Sequence, residues 1–245
     1  MFVKLKFPAN AMFLTQAMIQ IAQFDLVETG DLDNHIYTLP RQKSYNLGFE
    51  QCGYESLLFL VNSSVLVWMI YMHFVILVLV YGPVWLIHRK SGKLAGAKHK
   101  LESYFFWNGP IRFLMEISFE LILTAMLNVQ TADWQTAFHS VRYSTALAVI
   151  SLTLVAIIFP FLSVLYYRNM AILSKKSFKE KYIAGIEGTK YETSGTPPKS
   201  IVAYPTIFVV RRFLFSVSVI YMNDNIVAQL SLQILISILI FAYLW

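Results

Sequence analysis

The chain of 245 residues is 57 % hydrophobic and only 14 % charged, with a formal net charge of +6 and a mean hydropathy of +0.55. Soluble domains carry about 25 % charge, so these values exclude a water-soluble globule, and with it disorder, collagen and coiled coil. A single cysteine cannot form an internal disulfide, which excludes a disulfide-stapled secreted scaffold.

The composition predicts an all-α, polytopic membrane helix bundle of about five transmembrane helices plus one N-terminal interfacial helix. The first eight residues hold Lys4 and Lys6 but no long apolar run, so they do not read as a signal peptide. Asn10 can cap a helix over about 11–27. Phe13, Ala17, Ile21 and Phe24 recur there at helical spacing, interleaved with glutamines, which predicts a helix lying at the interface. Residues 28–56 read as a polar, net-acidic loop broken by Gly30, Pro40, Gly48 and Gly53.

The region 57–245 is predicted to be the bundle proper. Its first apolar run, 57–88, would extend about 47 Å as a helix, more than the ~30 Å hydrocarbon core, so a tilt or a kink at Gly82-Pro83 is expected. Between Arg89 and Lys100 lie five basic residues and no acid, which makes the loop 88–103 cytoplasmic and the acidic loop before it external. Tyr104 to Trp107 form an interfacial aromatic segment. Asn108 is then expected to cap a second span that carries Pro110 in its first turn and runs to about Val129. A short outer loop leads to a third span, from Tyr143 to about Tyr167 with Pro160 inside. The second loop, 168–203, holds seven basic and three acidic residues and falls on the same side as the first. The fourth span runs from Tyr204-Pro205 to about Met222. After a tight outer turn, the fifth runs from Ile226 to Trp245. The chain stops while still apolar, which suggests a fragment.

Membrane-depth charges are the main functional candidates, because ionisable groups in spans face protein or water. Glu116 and Glu120 share one face of the second span. Arg211 and Arg212 enter the fourth span from the same side, which puts one of them level with Glu116. Three readings stay open: an ion pair that registers two helices, a polar lining for an ion or proton path, and snorkelling to the interface. Arg112 is placed to contact lipid phosphate, or to pair with Glu116 one turn on. His73 reads as a helix-to-helix hydrogen bond or, less simply, as a ligand or proton relay. Gln229 and Gln233, also one turn apart, predict contact with another span or a partner. Asn62-Ser63-Ser64 matches the glycosylation pattern but reads better as polar contact between helices. No catalytic constellation, cofactor motif or zinc spacing occurs, so no enzyme, cofactor or metal is expected. A repeated-arginine sensor and a carbonyl filter sequence are missing too.

A set of ordered motifs spans almost the whole chain: Phe7-Pro8-Ala9-Asn10-Ala11, Ile21-Ala22-Gln23-Phe24-Asp25-Leu26, and Phe49-Glu50-Gln51-Cys52-Gly53-Tyr54-Glu55-Ser56. Trp107-Asn108 with Ile111-Arg112-Phe113, Phe178-Lys179-Glu180-Lys181-Tyr182 with Glu187-Gly188, and Tyr204-Pro205 leading into Arg211-Arg212-Phe213 continue it. In these motifs the chain resembles the C-terminal multi-span region of large ciliate cell-surface proteins. That region is itself distantly similar to transient-receptor-potential-like channels. The resemblance implies a long, often cysteine-rich extracellular region and a further span ahead of Met1. It implies a plasma or ciliary membrane, and it carries no catalytic residues. The resulting expectation is a non-enzymatic anchor for a cell-surface assembly. Its partners would be anionic lipid at the cytoplasmic face and other membrane or extracellular subunits. The alternative is a cation channel or transporter subunit.

Overall fold

The computed structural model describes residues 49, 54, 56–92, 94–132, 134, 139–173, 175–186, 199–222 and 225–244. The expected interfacial helix over 11–27 and most of the acidic loop 28–56 lie outside the described residues. Those described are helical, without strands: α1 Phe59–Asn62, α2 Ser64–Ile76, α3 Gly82–Ser91, α4 Ala95–Ser103, α5 Gly109–Gln130, α6 His139–Arg168, α7 Lys176–Tyr182, α8 Lys199–Val202, α9 Tyr204–Tyr221 and α10 Ile226–Leu244. Among them, four helices are long and apolar enough to cross a membrane: Ser64–Ser91, His139–Arg168, Tyr204–Tyr221 and Ile226–Tyr243. Only 6 % of the apolar window of the first and 11 % of that of the last are buried by protein. Phe74, Val78, Leu79, Ile157, Phe161, Val227, Leu239 and Phe241 are all exposed. Apolar surface this continuous does not persist against water and suits hydrocarbon.

The helices passing through Gly-Pro show how the sequence shapes its local structure. Leu77–Tyr81 and Tyr104–Asn108 are π turns, one directly before Gly82-Pro83 and the other directly before Gly109-Pro110. Proline lacks an N–H, and its ring collides with the carbonyl four residues back. A π turn shifts bonding to the carbonyl five residues back: the Gly82 N–H donates to the Leu77 carbonyl and the Gly109 N–H to the Tyr104 carbonyl. The helix therefore continues through both prolines. This corrects the expectation for Asn108, which lies inside a π turn with helical backbone on both sides and does not cap a new helix.

Gly92, at φ 67°, ends α3 as a left-handed cap, its N–H bonded to the His88 carbonyl at 2.9 Å. The chain re-enters helix at once as α4. Most of the expected loop 88–103 is thus a pair of helices, because the Ala-rich start of α4 favours helix in spite of its charge.

Two compact units are distinguished by their internal contacts. The first holds Met1–Leu66, Phe119–Val155 and Val210–Trp245. Phe59, Ala125 and Ala148 are its buried centre, flanked by Leu121 and Leu152. The two alanines let α5 and α6 approach closely, as small residues do between membrane helices. In its second half α5 is enclosed by protein, with Ile122 to Asn128 all buried. Helix starts leave N–H groups without partners. Here the Leu60 N–H is met by the Ser144 hydroxyl of α6 at 3.3 Å, and the Asn128 amide of α5 donates to the Leu57 carbonyl at 3.0 Å. Asn62, the expected helix-to-helix contact, instead donates to the Ser56 carbonyl six residues earlier, at 2.7 Å.

The second unit holds Val67–Ser118 and Ala156–Val209. Its floor is aromatic. The Tyr166 ring is fully buried and its hydroxyl donates to the Tyr182 carbonyl at 2.7 Å. Phe178 lies against both tyrosines, and Trp107 meets Tyr182 edge-on at 5.2 Å. The Asn108 side-chain oxygen accepts from the Ala184 N–H at 3.0 Å, which ties the π turn to the segment after α7. Ser163 and Thr206 share a hydrogen bond of 2.8 Å that joins α6 to α9.

Candidate functional site

The second unit contains an open cavity of about 360 Å³. Met69, Met72, His73 and Ile76 of α2 form one wall, and Gly109, Arg112, Phe113 and Glu116 of α5 form the other, with Tyr104 at the end. Both sets follow i, i+3, i+4, i+7 spacing, so each is one face of its helix. The glycine explains part of the opening. A Cβ on Gly109 would stand 2.6 Å from the Tyr104 carbonyl oxygen, so the π turn favours glycine there and that wall has no side chain at this level.

Three ionisable groups from the sequence reading therefore converge, although they lie some forty residues apart in the chain. Arg112 and Glu116 are exposed on the open side of the cavity, separated by one helical turn, about 6 Å along the axis. His73 is half-buried and meets Phe105 edge-on, with ring centroids 5.7 Å apart. The expected hydrogen bond from His73 to a neighbouring helix is not made among the described residues; the ring contacts aromatic edges instead. The convergence of His73 with Arg112 and Glu116 was not predicted, since helical spacing defines each stripe but does not pair the two.

Next to the cavity, Tyr81 donates a hydrogen bond to Glu102 at 2.8 Å and meets Phe106 edge-on. Lys98 approaches the same carboxylate at 3.5 Å. The Tyr81 hydrogen bond first, and the Lys98 charge after it, hold the Glu102 carboxyl below the usual carboxylate range, against an opposing push from burial. His99 reaches Glu180 of α7 at 3.8 Å. The basic helix α4 thus meets Tyr81 on one flank and Glu180 of α7 on the other.

The remaining candidates belong to the first unit. Glu120 and Arg212 are half-buried and Arg211 is exposed. Phe119 meets Phe215 edge-on at 5.5 Å, which packs this stretch of α5 against α9. Gln233 donates to the buried Ser218 hydroxyl at 3.3 Å, joining α10 to α9. Gln229 is fully buried, and neither its oxygen nor its nitrogen has a partner among the described residues. An unpaired buried amide costs about 1–3 kcal/mol. Gln229→Leu is therefore expected to raise unfolding free energy by up to about that amount. Equilibrium unfolding in mixed micelles checks this, and a loss of stability would reveal a partner for the amide.

Among the described residues no group of three His, Cys, Asp or Glu side chains could hold a metal ion. No family model, curated protein or solved structure matches this chain.

Proposed function

We propose that the chain is a non-enzymatic, multi-pass membrane domain that anchors a cell-surface or extracellular assembly. The observation that supports the membrane part of this reading is the exposed apolar surface of the four long helices, which calls for lipid around them. On this reading α5 makes a fifth crossing. Its 22 residues extend about 33 Å, and its second half, enclosed by protein, tolerates Asn128 better than a helix facing lipid would. The basic segments around α4 and α7 then face the cytoplasm and attract anionic lipid, and the N-terminal region lies outside. A plasma or ciliary membrane and further protein subunits complete the proposal.

A channel subunit is the second reading, favoured by the placement of Glu116 and Arg112 on an open cavity. Current across a bilayer containing the purified protein separates the two. The anchor reading expects no current from folded protein. A cation current that Glu116→Gln or Glu120→Gln alters would replace it with the channel reading.

A further inference from the structure

We propose that the cavity between α2 and α5 is a site for one aminophospholipid, with the lipid phosphate against Arg112 and its ammonium against Glu116. Arg112 and Glu116 present opposite charges to one opening, about 6 Å apart along α5. A purely anionic or purely cationic ligand would be attracted by one and repelled by the other, and like charges brought together at a binding site disfavour binding. A dipolar headgroup meets both with the favourable sign. The two ionic groups of a phosphoethanolamine are separated by two methylenes, which suits the spacing of one helical turn.

Hydrogen bonding points to the same ligand. A phosphate diester offers acceptors only, and the wall supplies donors: the Arg112 guanidinium, the Tyr104 hydroxyl and the His73 ring, which makes no hydrogen bond among the described residues. A primary ammonium carries donors for the Glu116 carboxylate. A quaternary ammonium carries none.

The rest of the lining says where the ligand comes from. Met69, Met72, Ile76 and Phe113 are apolar, and the flexible methionines adapt to chains of varied shape. Val67, Ile70 and Phe74 of α2 are exposed on the side of the cavity away from the basic helix α4, so acyl chains leaving it run along hydrocarbon-compatible surface. The volume of about 360 Å³ lies in the range of ligand sites, roughly 300–1,000 Å³. A water-soluble headgroup would leave this apolar wall uncovered. The proposal rests on the chain residing in a bilayer, and not on whether it anchors or conducts.

The test begins with flotation of the full chain on lipid vesicles. A chain that does not float overturns the bilayer reading and this site with it. A chain that floats is purified in mild detergent and titrated with ethanolamine, choline and glycerol phospholipids of identical acyl chains, and bound lipid is counted by native mass spectrometry. The expected result is one retained ethanolamine lipid, held about tenfold more tightly than either competitor. Arg112→Gln and Glu116→Gln should each remove most of that preference. Met72→Trp, which fills the cavity and leaves both charges in place, should also displace the lipid, and it decides the matter if the charge variants fail to fold. Equal retention of the three lipids overturns the proposal. So does tighter binding of the glycerol lipid by Glu116→Gln, which would show an anion site instead.

Discussion

Tyr166→Ala is expected to lower the unfolding free energy by about 3–5 kcal/mol, the cost of emptying a fully buried aromatic site. The Tyr166 ring is fully buried against Phe178, and its hydroxyl holds the Tyr182 carbonyl. Gly185 makes this possible. A Cβ there would overlap the Tyr166 hydroxyl and stand 3.0 Å from the ring carbon that bears it. An enclosed ring has nowhere to swing, so Gly185→Ala should cost about 1–3 kcal/mol through overpacking. Tyr166→Phe loses one hydrogen bond and should cost less, about 0.5–1.5 kcal/mol. The coupling is the sharper check. In the Tyr166→Phe background the overlapping oxygen is gone, so Gly185→Ala should cost clearly less than in the natural chain. Equilibrium unfolding of the four proteins in mixed micelles measures the cycle. Strict additivity would mean that the two residues do not touch.

Gly109→Ala and Gly82→Ala should differ although both glycines follow a π turn and precede a proline. At Gly109 an added methyl meets the Tyr104 carbonyl at 2.6 Å, and backbone cannot move aside cheaply. The expected cost is about 1–3 kcal/mol. At Gly82 nothing lies within 4 Å, so the methyl is accommodated, and the lower entropy of the unfolded chain makes a small gain of about 0.5 kcal/mol the expected sign. Thermal unfolding of the two variants side by side checks this, and equal midpoints would contradict it. Amide exchange at Gly109 should also accelerate in Gly109→Ala, since its N–H bond to Tyr104 is the one displaced.

The long apolar helices were legible because hydrophobic run length and proline or glycine punctuation are local signals. Where spans were expected from Tyr204 to Met222 and from Ile226 to Trp245, the structure has helices Tyr204–Tyr221 and Ile226–Leu244, both long and apolar enough to cross a membrane. The helix after Gly92 was hidden by its lysines, which read as loop although Ala95, Ala97 and Leu101 favour helix. The π turns left no pattern to read. Gly-Pro announces a disturbance, but not that bonding will widen instead of break. In the candidate site, Arg112 and Glu116 could be placed on one face from spacing alone. His73 joins them only through the pairing of two helix faces, a long-range fact. The close approach of Gly185 to Tyr166 depends on how the region after α7 returns to α6.

The Ser144 hydroxyl that meets the Leu60 N–H lies 84 residues further along the chain. At synthesis rates of about 5–20 residues per second, those residues take roughly 4–17 s to emerge. Throughout that interval the entry to the first apolar helix has an unanswered donor, and the Leu57 carbonyl waits as well until Asn128, 71 residues on, is made. The N-terminal end of the first apolar helix is therefore secured only by residues translated long after it. Until α6 arrives that end is provisional, and a pause or truncation before residue 144 leaves the first helix formed but not yet anchored at its start.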